Sequence, residues 1–350
     1  MEKLRWGVIG AGGIADIRTI PGILEARNAE LVALTARTPE RAEQLRRKHG
    51  AKRAYTSEEE LLRDPEVDAV YIATPVAEHY REGTLATQAG KHILMEKPLT
   101  VSADETKALI DCCEAHKVAF GAGFMMRFGT HVQSMRRAVL DGRIGTVLSG
   151  TANFTLWMPY QSGVWRLQKK NGGGALIDMG IHCLDLISFI TGMRVTEVAA
   201  MNENVLFRDP GYEVEDSSAV LLRMENGAQF FVQSSFNIPY AEAKWHLNLF
   251  GSKGRLMGDN ILGQEDTGTL NLIDADMLPT LDPRPQTGYG QGRMCPAVFG
   301  NLFTREIESF SESVLCGTPL EVPATQALEV QRVVDAAYRS SREKRIISLL

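Results

Sequence analysis

Lys97 stands where the sequence could place a reactive amine. Residues 91–97 form a short apolar stretch that ends in a charged pair, and Pro98, which follows, favours an extended conformation for the residue before it. Lys97 is therefore predicted to lie at the end of a strand. Ligands bind at that end in an open parallel sheet, so an amine there could act on a substrate oxygen. The alternative is an exposed lysine in a turn, the more common place for this residue type.

A second group of polar residues lies on a predicted helix that follows the three glycines 172–174. Asp178, His182 and Asp185 are spaced at i, i+4 and i+7, which places them on one stripe of an otherwise apolar helix. A carboxylate that orients a histidine is a recurrent acid–base device. The alternatives are a structural hydrogen-bond network and a metal site, and the metal site is disfavoured because the sequence has no H-x-x-E-H or C-x-x-C spacing.

Aromatic and cationic residues precede these glycines. Trp157, Tyr160, Trp165 and Arg166 occur close together in the sequence. Aromatic faces stack on the C–H faces of sugars, but a core wall or a subunit interface would have the same composition. The predicted substrate-binding residues are Arg127, Trp165, Arg166, Asp178 and His182.

The segment 10–15 has the sequence of a dinucleotide-binding turn. It reads Gly-Ala-Gly-Gly-Ile-Ala, follows the predicted strand 5–9 directly and opens a predicted helix that runs to about residue 26. This matches G-x-G-x-x-A in the required order of strand, tight turn and helix, where a helix N-terminus binds pyrophosphate. Small Ala15 would let the helix pack on the strand. The predicted cofactor contacts of this turn are Gly10, Gly12, Gly13 and Ile14.

Two arginines follow the second predicted strand, 29–34. An acidic residue in this place would bind the ribose hydroxyls of NAD, but the sequence has none there and offers Arg37 and Arg41 instead. Guanidinium groups suit the 2′-phosphate of NADP, so NADP is the favoured cofactor and NAD remains possible. The alternative is that both arginines are simply solvated.

Further cofactor contacts are predicted at the ends of later strands. Thr74 and Pro75 end the apolar strand 67–73, and His79 lies just beyond them, although a helix-surface histidine is equally plausible. Glu96 is predicted as a supporting or cofactor-side partner of Lys97, which is itself placed among the cofactor contacts.

Strands and helices alternate over residues 1–123, which are predicted to form a dinucleotide-binding domain with a doubly wound parallel sheet. Ser57 and Ser102 are predicted to begin two of its helices, and Ser102 has the spacing of a capping box. Residues 124–350 are predicted to form an α+β domain for substrate binding and oligomerisation. Its sheet should be open and mostly antiparallel, and residues 260–292 are predicted to form a loop region.

Composition narrows the class of protein. A net charge of −5 argues against nucleic acid or an anionic membrane as a partner, and no apolar stretch of spanning length is apparent. The five cysteines form no C-x-x-C pair, and the N-terminal segment is typical of a strand rather than of a leader. These features predict a cytoplasmic protein without a structural metal.

The chain resembles the glucose-fructose oxidoreductase / inositol dehydrogenase / MocA (Gfo/Idh/MocA) family over nearly its whole length. The resemblance rests on four motifs in order: the glycine turn at 10–15, Ala73-Thr74-Pro75, Glu96-Lys97-Pro98, and the glycines that lead to Asp178 and His182. It implies a Rossmann-type domain and an NAD(P)-dependent oxidoreductase that acts on sugars, keto-sugars or cyclic polyols, often as a homodimer or homotetramer joined through the open sheet. It also implies catalytic roles for Lys97, Asp178 and His182.

The mechanism expected from this resemblance is hydride transfer between nicotinamide C4 and a ring carbon. His182 is the first choice for proton exchange, and Lys97 with Asp178 would position and polarise the oxygen, although the lysine and the histidine could exchange roles. Two other functions stay open. One is a lyase or glycosidase that oxidises a sugar transiently, and the other is a non-catalytic dinucleotide-sensing regulator.

Overall fold

The structure is a computed structural model that describes residues 2–240, 245–274 and 292–349. The chain forms two compact units, each assembled from three segments of the sequence. The first unit comprises Met1–Met125, Lys170–Gly172 and Asn301–Gln331, and the second comprises Met126–Lys169, Gly173–Gly300 and Arg332–Leu350.

The first unit contains a parallel sheet. Its strands are β1 (Leu4–Ile9), β2 (Ala29–Thr35), β3 (Arg53–Tyr55), β4 (Ala69–Ile72), β5 (His92–Glu96) and β6 (Phe120–Gly123). They lie in the order β3-β2-β1-β4-β5-β6, and all neighbours are parallel. This doubly wound order confirms the predicted fold, and it places the switch point of the sheet beside β1. Strand β3 was not predicted.

The helices of the chain start largely where the sequence indicates. The described α-helices are α1 (Ile20–Glu25), α2 (Pro39–His49), α3 (Glu58–Leu62), α4 (Val76–Gln88), α5 (Ala103–Ala115), α6 (Thr130–Leu140), α7 (Ile181–Thr191), α8 (Leu302–Cys316) and α9 (Ala324–Glu343). Ser57 and Ser102 each accept a hydrogen bond from the backbone N–H three residues on, at 3.4 and 3.2 Å. These caps satisfy N–H groups that the helix itself leaves without a partner.

The segment Asn301–Gln331 belongs to the first unit, although the predicted division after residue 123 assigned it to the second domain. The apolar face of α8 covers β1, where the Trp6 indole donates to Ser311 at 3.1 Å and its ring centroid lies 5.3 Å from that of Phe310. A Cβ on Gly22 of α1 would lie 3.0 Å from the Phe303 carbonyl carbon, so α1 and α8 approach closely. A prediction with one domain boundary cannot represent a chain whose later segment packs into the first unit.

The described residues of the second unit form a nine-stranded sheet. Its strands are β7 (Val147–Thr155), β8 (Val195–Glu203), β9 (Ser217–Met224), β10 (Gln229–Ser235), β11 (His246–Gly251), β12 (Gly254–Asp259), β13 (Thr269–Ile273), β14 (Arg293–Met294) and β15 (Ile347–Ser348). The order is β14-β13-β12-β11-β7-β10-β9-β8-β15. All pairs are antiparallel except β7 with β10. The mostly antiparallel sheet confirms the predicted class.

The sequence-based prediction missed strands β12 to β15 in this half. Strand β13 lies inside the predicted loop region 260–292, because Thr269–Ile273 alternates buried and less buried side chains against β12. Residues 275–291 of that predicted loop lie outside the described residues.

One segment of the described chain, Lys169–Thr191, is long and apolar enough to span a membrane by length and composition, which contradicts the expectation that no apolar stretch of spanning length is present. Of the most apolar 18-residue stretch of this segment, 89% is buried inside the structure. Burial of this kind is what a core helix shows, and this segment carries Asp178 and His182.

Candidate functional site

The glycine turn after β1 has the geometry that a dinucleotide site requires. Gly10 adopts a φ of +79°, and a Cβ there would lie 2.8 Å from Thr74 Cγ2, so a larger residue would collide with the end of β4. A Cβ on Gly12 or Gly13 would meet no heavy atom within 4 Å. The turn is therefore open on the side of these two glycines, and the helical backbone that starts beyond them fits the pyrophosphate of a bound dinucleotide.

Asp16, in the first turns after these glycines, contacts two cationic side chains and one histidine of α2. It pairs with Arg41 at 3.0 Å, Lys48 at 2.6 Å and His49 at 2.7 Å. Burial would raise the pKa of the Asp16 carboxyl, but the hydrogen bonds from Lys48 and His49 outweigh it and lower the pKa. Arg41 is thus engaged, whereas Arg37 is exposed beyond the end of β2.

His79 joins the segments that follow β4 and β5. Its ring is 1% exposed, with Nε2 2.9 Å from the Thr74 carbonyl oxygen and Nδ1 3.1 and 3.2 Å from those of Pro98 and Leu99. Burial lowers the pKa of His79, and the three carbonyl contacts oppose that shift. Since both ring nitrogens face backbone carbonyls, His79 holds the segment after Lys97 against the Thr74 turn, and a cofactor contact at His79 remains a prediction.

The side chain of Thr74 is also occupied within the first unit. Its hydroxyl donates to Glu82, a residue of α4 that is 3% exposed. Burial raises the pKa of Glu82 to about 7, and the hydrogen bond from Thr74 limits the rise. Pro75 directly precedes α4. Cofactor contacts at these two positions remain predictions.

Lys97 directly follows β5, as predicted, and the Lys97–Pro98 peptide bond is cis. The Glu96 carboxylate accepts hydrogen bonds from the Tyr71 hydroxyl and, at 3.2 Å, from the Lys97 backbone N–H. Glu96 therefore supports the Lys97 backbone, which is one of the two roles predicted for it. Burial, reinforced by Glu96, raises the pKa of Tyr71 well above its usual value.

Asp178 and Arg166 form a pair in the second unit. Asp178 is 4% exposed and accepts a hydrogen bond from Arg166 Nε at 2.9 Å, while the Arg166 side chain is 36% exposed. The Arg166 guanidinium also lies over the Trp165 ring, 4.7 Å from its centroid. Three residues from two predicted motifs are thus brought together, with a buried carboxylate behind a half-exposed cation and an aromatic face.

His182 lies one turn after Asp178 on the same helical segment. Asp178 is within the short π-helix Leu176–Gly180, and His182 is in the first turn of α7. The His182 ring is 4% exposed and packs edge-on against Phe154, with 6.2 Å between centroids.

Arg127 is buried in an ion pair of the second unit, and its role in substrate binding remains a prediction. It is 1% exposed, and its Nε donates to both Asp185 oxygens at 3.1 and 3.0 Å. The guanidinium also lies 4.7 Å from the centroid of the Phe189 ring. The Asp185 carboxylate therefore pairs with the Arg127 guanidinium and is not directed toward a ligand. A buried charge needs such a partner because its desolvation is costly. Burial raises the Asp185 pKa, and Arg127 opposes the rise.

Trp157 belongs to a separate aromatic cluster. Its ring lies edge-on to Phe207 at 5.2 Å, and Phe207 stacks on Tyr212 at 5.2 Å. This packing favours the interpretation of Trp157 as part of a core wall over its stacking on a sugar.

Comparison with known proteins identifies the family. Residues 4–124 match the model described as oxidoreductase family, NAD-binding Rossmann fold, and residues 132–257 match the Gfo/Idh/MocA C-terminal domain. The 1,5-anhydro-D-fructose reductase of Ensifer adhaerens is 32% identical over 284 residues, which cover 80% of this chain and 83% of that protein. The chain belongs to the Gfo/Idh/MocA family. It is accordingly an NAD(P)-dependent oxidoreductase, as predicted.

Other Gfo/Idh/MocA relatives cover the whole chain. D-xylose 1-dehydrogenase (NADP(+)) 2 of Haloferax volcanii is 30% identical over 349 residues, covering 99% of this chain and 100% of that one. An aldose-aldose oxidoreductase structure from Caulobacter crescentus, complexed with glycerol, superimposes with a TM-score of 0.87 at 25% identity, covering 99% of this chain and 100% of that chain. These relatives give no support to the lyase or regulatory alternatives.

Glu306 is one of the buried acids of this Gfo/Idh/MocA chain that the sequence did not predict. Glu306 is 2% exposed, and burial together with Glu96 raises its pKa well above the usual value. Its burial could have been predicted from its position among Phe303, Ile307 and Phe310 on the apolar face of α8. Among the residues that the structure describes, no cluster of histidine, cysteine or acidic residues could hold a metal ion.

Proposed function

We propose that this protein is a dehydrogenase or reductase that transfers a hydride between NAD(P) and a sugar, a keto-sugar or a cyclic polyol. The observation that carries the substrate class is the group of Arg166, Asp178 and Trp165, which offers a hydroxyl-binding ion pair beside an aromatic face. Relatives named for sugar and inositol substrates support the same class.

Lys97, Asp178 and His182 are the proposed catalytic residues. A bound nicotinamide would supply the acceptor or donor of the hydride. In the oxidation direction His182 would take the proton that the substrate hydroxyl loses, while Lys97 and Asp178 would position and polarise that oxygen. Lys97 and His182 could exchange these roles.

A substrate panel tests the function. Purified protein is incubated with NAD, NADP or their reduced forms and with aldoses, keto-sugars and polyols, and nicotinamide absorbance at equilibrium and over time is followed. Turnover with at least one sugar or polyol is expected. Product formed without any net change in absorbance would instead favour the lyase or glycosidase, and cofactor binding without turnover would favour the regulator.

NADP is the proposed preferred cofactor. Arg37 is exposed beyond β2 and available for a 2′-phosphate, whereas Arg41 would first have to leave Asp16. Replacing Arg37 with alanine should raise the KM for NADP about tenfold and leave the KM for NAD unchanged, because a charge-assisted hydrogen bond contributes on that scale. Initial rates with each cofactor measure this, and exposed Arg63→Ala is the matched control. Equal effects on both cofactors would contradict the preference.

A homodimer or homotetramer is proposed through the open face of the second sheet. Met201, Leu221 and Phe231 lie on three neighbouring strands and are 74%, 55% and 38% exposed. An exposed apolar stripe of this kind is typical of an interaction surface, and light scattering of the native protein measures the mass.

The cytoplasmic location also remains a proposal, supported by five free cysteines.

A further inference from the structure

The helical segment that carries Asp178 begins without a side-chain cap of its own. Its N-cap is Ala175, and Gly172 to Gly174 precede it, so no local side chain can accept from the first backbone N–H groups. Helix N-termini leave such groups without intrahelical partners, and a local serine, threonine, asparagine or aspartate usually satisfies them.

Two residues from distant parts of the chain supply this cap. Glu215 Oε1 accepts from the Leu176 backbone N–H at 2.9 Å and from the Tyr338 hydroxyl at 2.9 Å. The Glu215 carbonyl oxygen also accepts from the Ala175 N–H at 3.3 Å, so Tyr338 supports the cap through its hydrogen bond to the Glu215 carboxylate. We call Glu215 and Tyr338 the distal cap. A carboxylate at this place also interacts favourably with the helix dipole.

The glycines make room for the distal cap. Gly174 has a φ of +135°, and a Cβ on it would lie 2.6 Å from Glu215 Oε1 and 2.7 Å from the Tyr338 hydroxyl oxygen. A Cβ on Gly173 would lie 2.2 Å from the Arg166 carbonyl oxygen. The glycine run is thus explained by close approach on both sides, to the distal cap and to the Arg166 turn.

The same turn fixes the Arg166–Asp178 pair. Gly174 N–H donates to the Arg166 carbonyl at 3.1 Å, and Asp178 N–H donates to the Gly174 carbonyl at 3.0 Å. Arg166 Nε then donates to Asp178 Oδ2 at 2.9 Å, which closes a ring of hydrogen bonds. A shift of the first helical turn would therefore move Asp178 relative to Arg166.

We propose that Glu215 and Tyr338 are positioning residues that set the orientation of Asp178 in the oxidoreductase reaction. This inference rests on the proposed catalytic role of Asp178. The distal cap touches the backbone of the helical turn and acts through it. Loss of the cap would reduce the fraction of protein in which Asp178 is correctly placed, so turnover would fall while cofactor binding stayed the same.

The test uses Tyr338→Phe, Glu215→Gln and Glu215→Ala in the full-length protein. Tyr338→Phe should lower kcat about tenfold and leave the KM for the cofactor within about twofold, because a misplaced polar group affects the chemical step most. Glu215→Gln keeps an acceptor for Leu176 N–H and should retain more activity than Glu215→Ala. Hydrogen exchange of peptides that cover residues 174–182 should be faster in Tyr338→Phe.

Tyr55→Phe is the matched control, because Tyr55 also donates its hydroxyl to a carboxylate, that of Asp64 at 3.2 Å. It should change neither kcat nor exchange at residues 174–182. Faster exchange in Tyr338→Phe with unchanged kcat would overturn the positioning role, and unchanged exchange would overturn the cap. An inactive wild-type protein would refute the proposed function instead, since the exchange measurement does not depend on turnover.

Discussion

Replacement of Lys97 with methionine is expected to lower kcat about 100-fold or more while the KM for the cofactor changes less than about twofold. Methionine retains much of the length of lysine but lacks the ammonium group that would polarise or protonate the substrate oxygen. The backbone should keep its place, because Glu96 accepts from Lys97 N–H and His79 contacts the Pro98 and Leu99 carbonyls. Steady-state kinetics with a substrate found in the panel measure the effect.

The matched control for this experiment is Lys107→Met, which removes an exposed lysine that pairs with Asp111 on α5. Its kcat should equal that of the wild-type protein. Unchanged turnover in correctly folded Lys97→Met would remove Lys97 from the catalytic residues. A large rise in the cofactor KM without loss of kcat would make it a cofactor-binding residue only.

Replacement of Arg127 with methionine is expected to lower the free energy of unfolding by about 3–5 kcal/mol, because it leaves the Asp185 carboxylate buried without its cation. Arg127 and Asp185 are each 1% exposed, so water cannot replace the lost partner. The second change Asp185→Leu should recover most of the loss, since an apolar pair can replace a buried ion pair. Chemical denaturation of the single and double variants measures both effects.

Arg194→Met provides the comparison on the surface. Arg194 pairs with Glu225 at 3.0 Å, but its side chain is 77% exposed, so less than about 1 kcal/mol should be lost. If Arg127→Met cost no more than this control, Arg127 would not be a structural ion-pair residue. Its predicted contact with substrate would then have to be reconsidered.

The parts of the fold that local sequence patterns determine were predicted well. The sequence predicts strands at 147–155 and 229–235 and a helix from 39 to about 49, and β7, β10 and α2 have these bounds. Ser102 caps α5 through Glu105 N–H as the capping box indicates. These features depend on hydrophobic periodicity and on residues three apart. The short edge strands β3, β14 and β15 have too few residues to show a period.

The sequence predicted which residues belong to the candidate site better than it predicted the contacts of those residues. Lys97 at a strand end and Asp178 with His182 on one buried helix follow from local pattern. The partners of Asp185 and of His79 do not, because Arg127 lies 58 residues from Asp185 and Pro98 lies 19 from His79. Tertiary contacts decide whether a polar side chain faces a ligand or its own chain, and a single sequence carries no direct record of them.

The return of Asn301–Gln331 to the first unit has a consequence for how the protein is made. A ribosome releases the N-terminal residues first, yet the surface of Trp6 on β1 and the close approach at Gly22 are completed by α8. The first unit should therefore remain incomplete until the chain as far as Gln331 has left the exit tunnel. We expect the N-terminal third synthesised alone to expose this apolar surface and to depend on chaperones during translation.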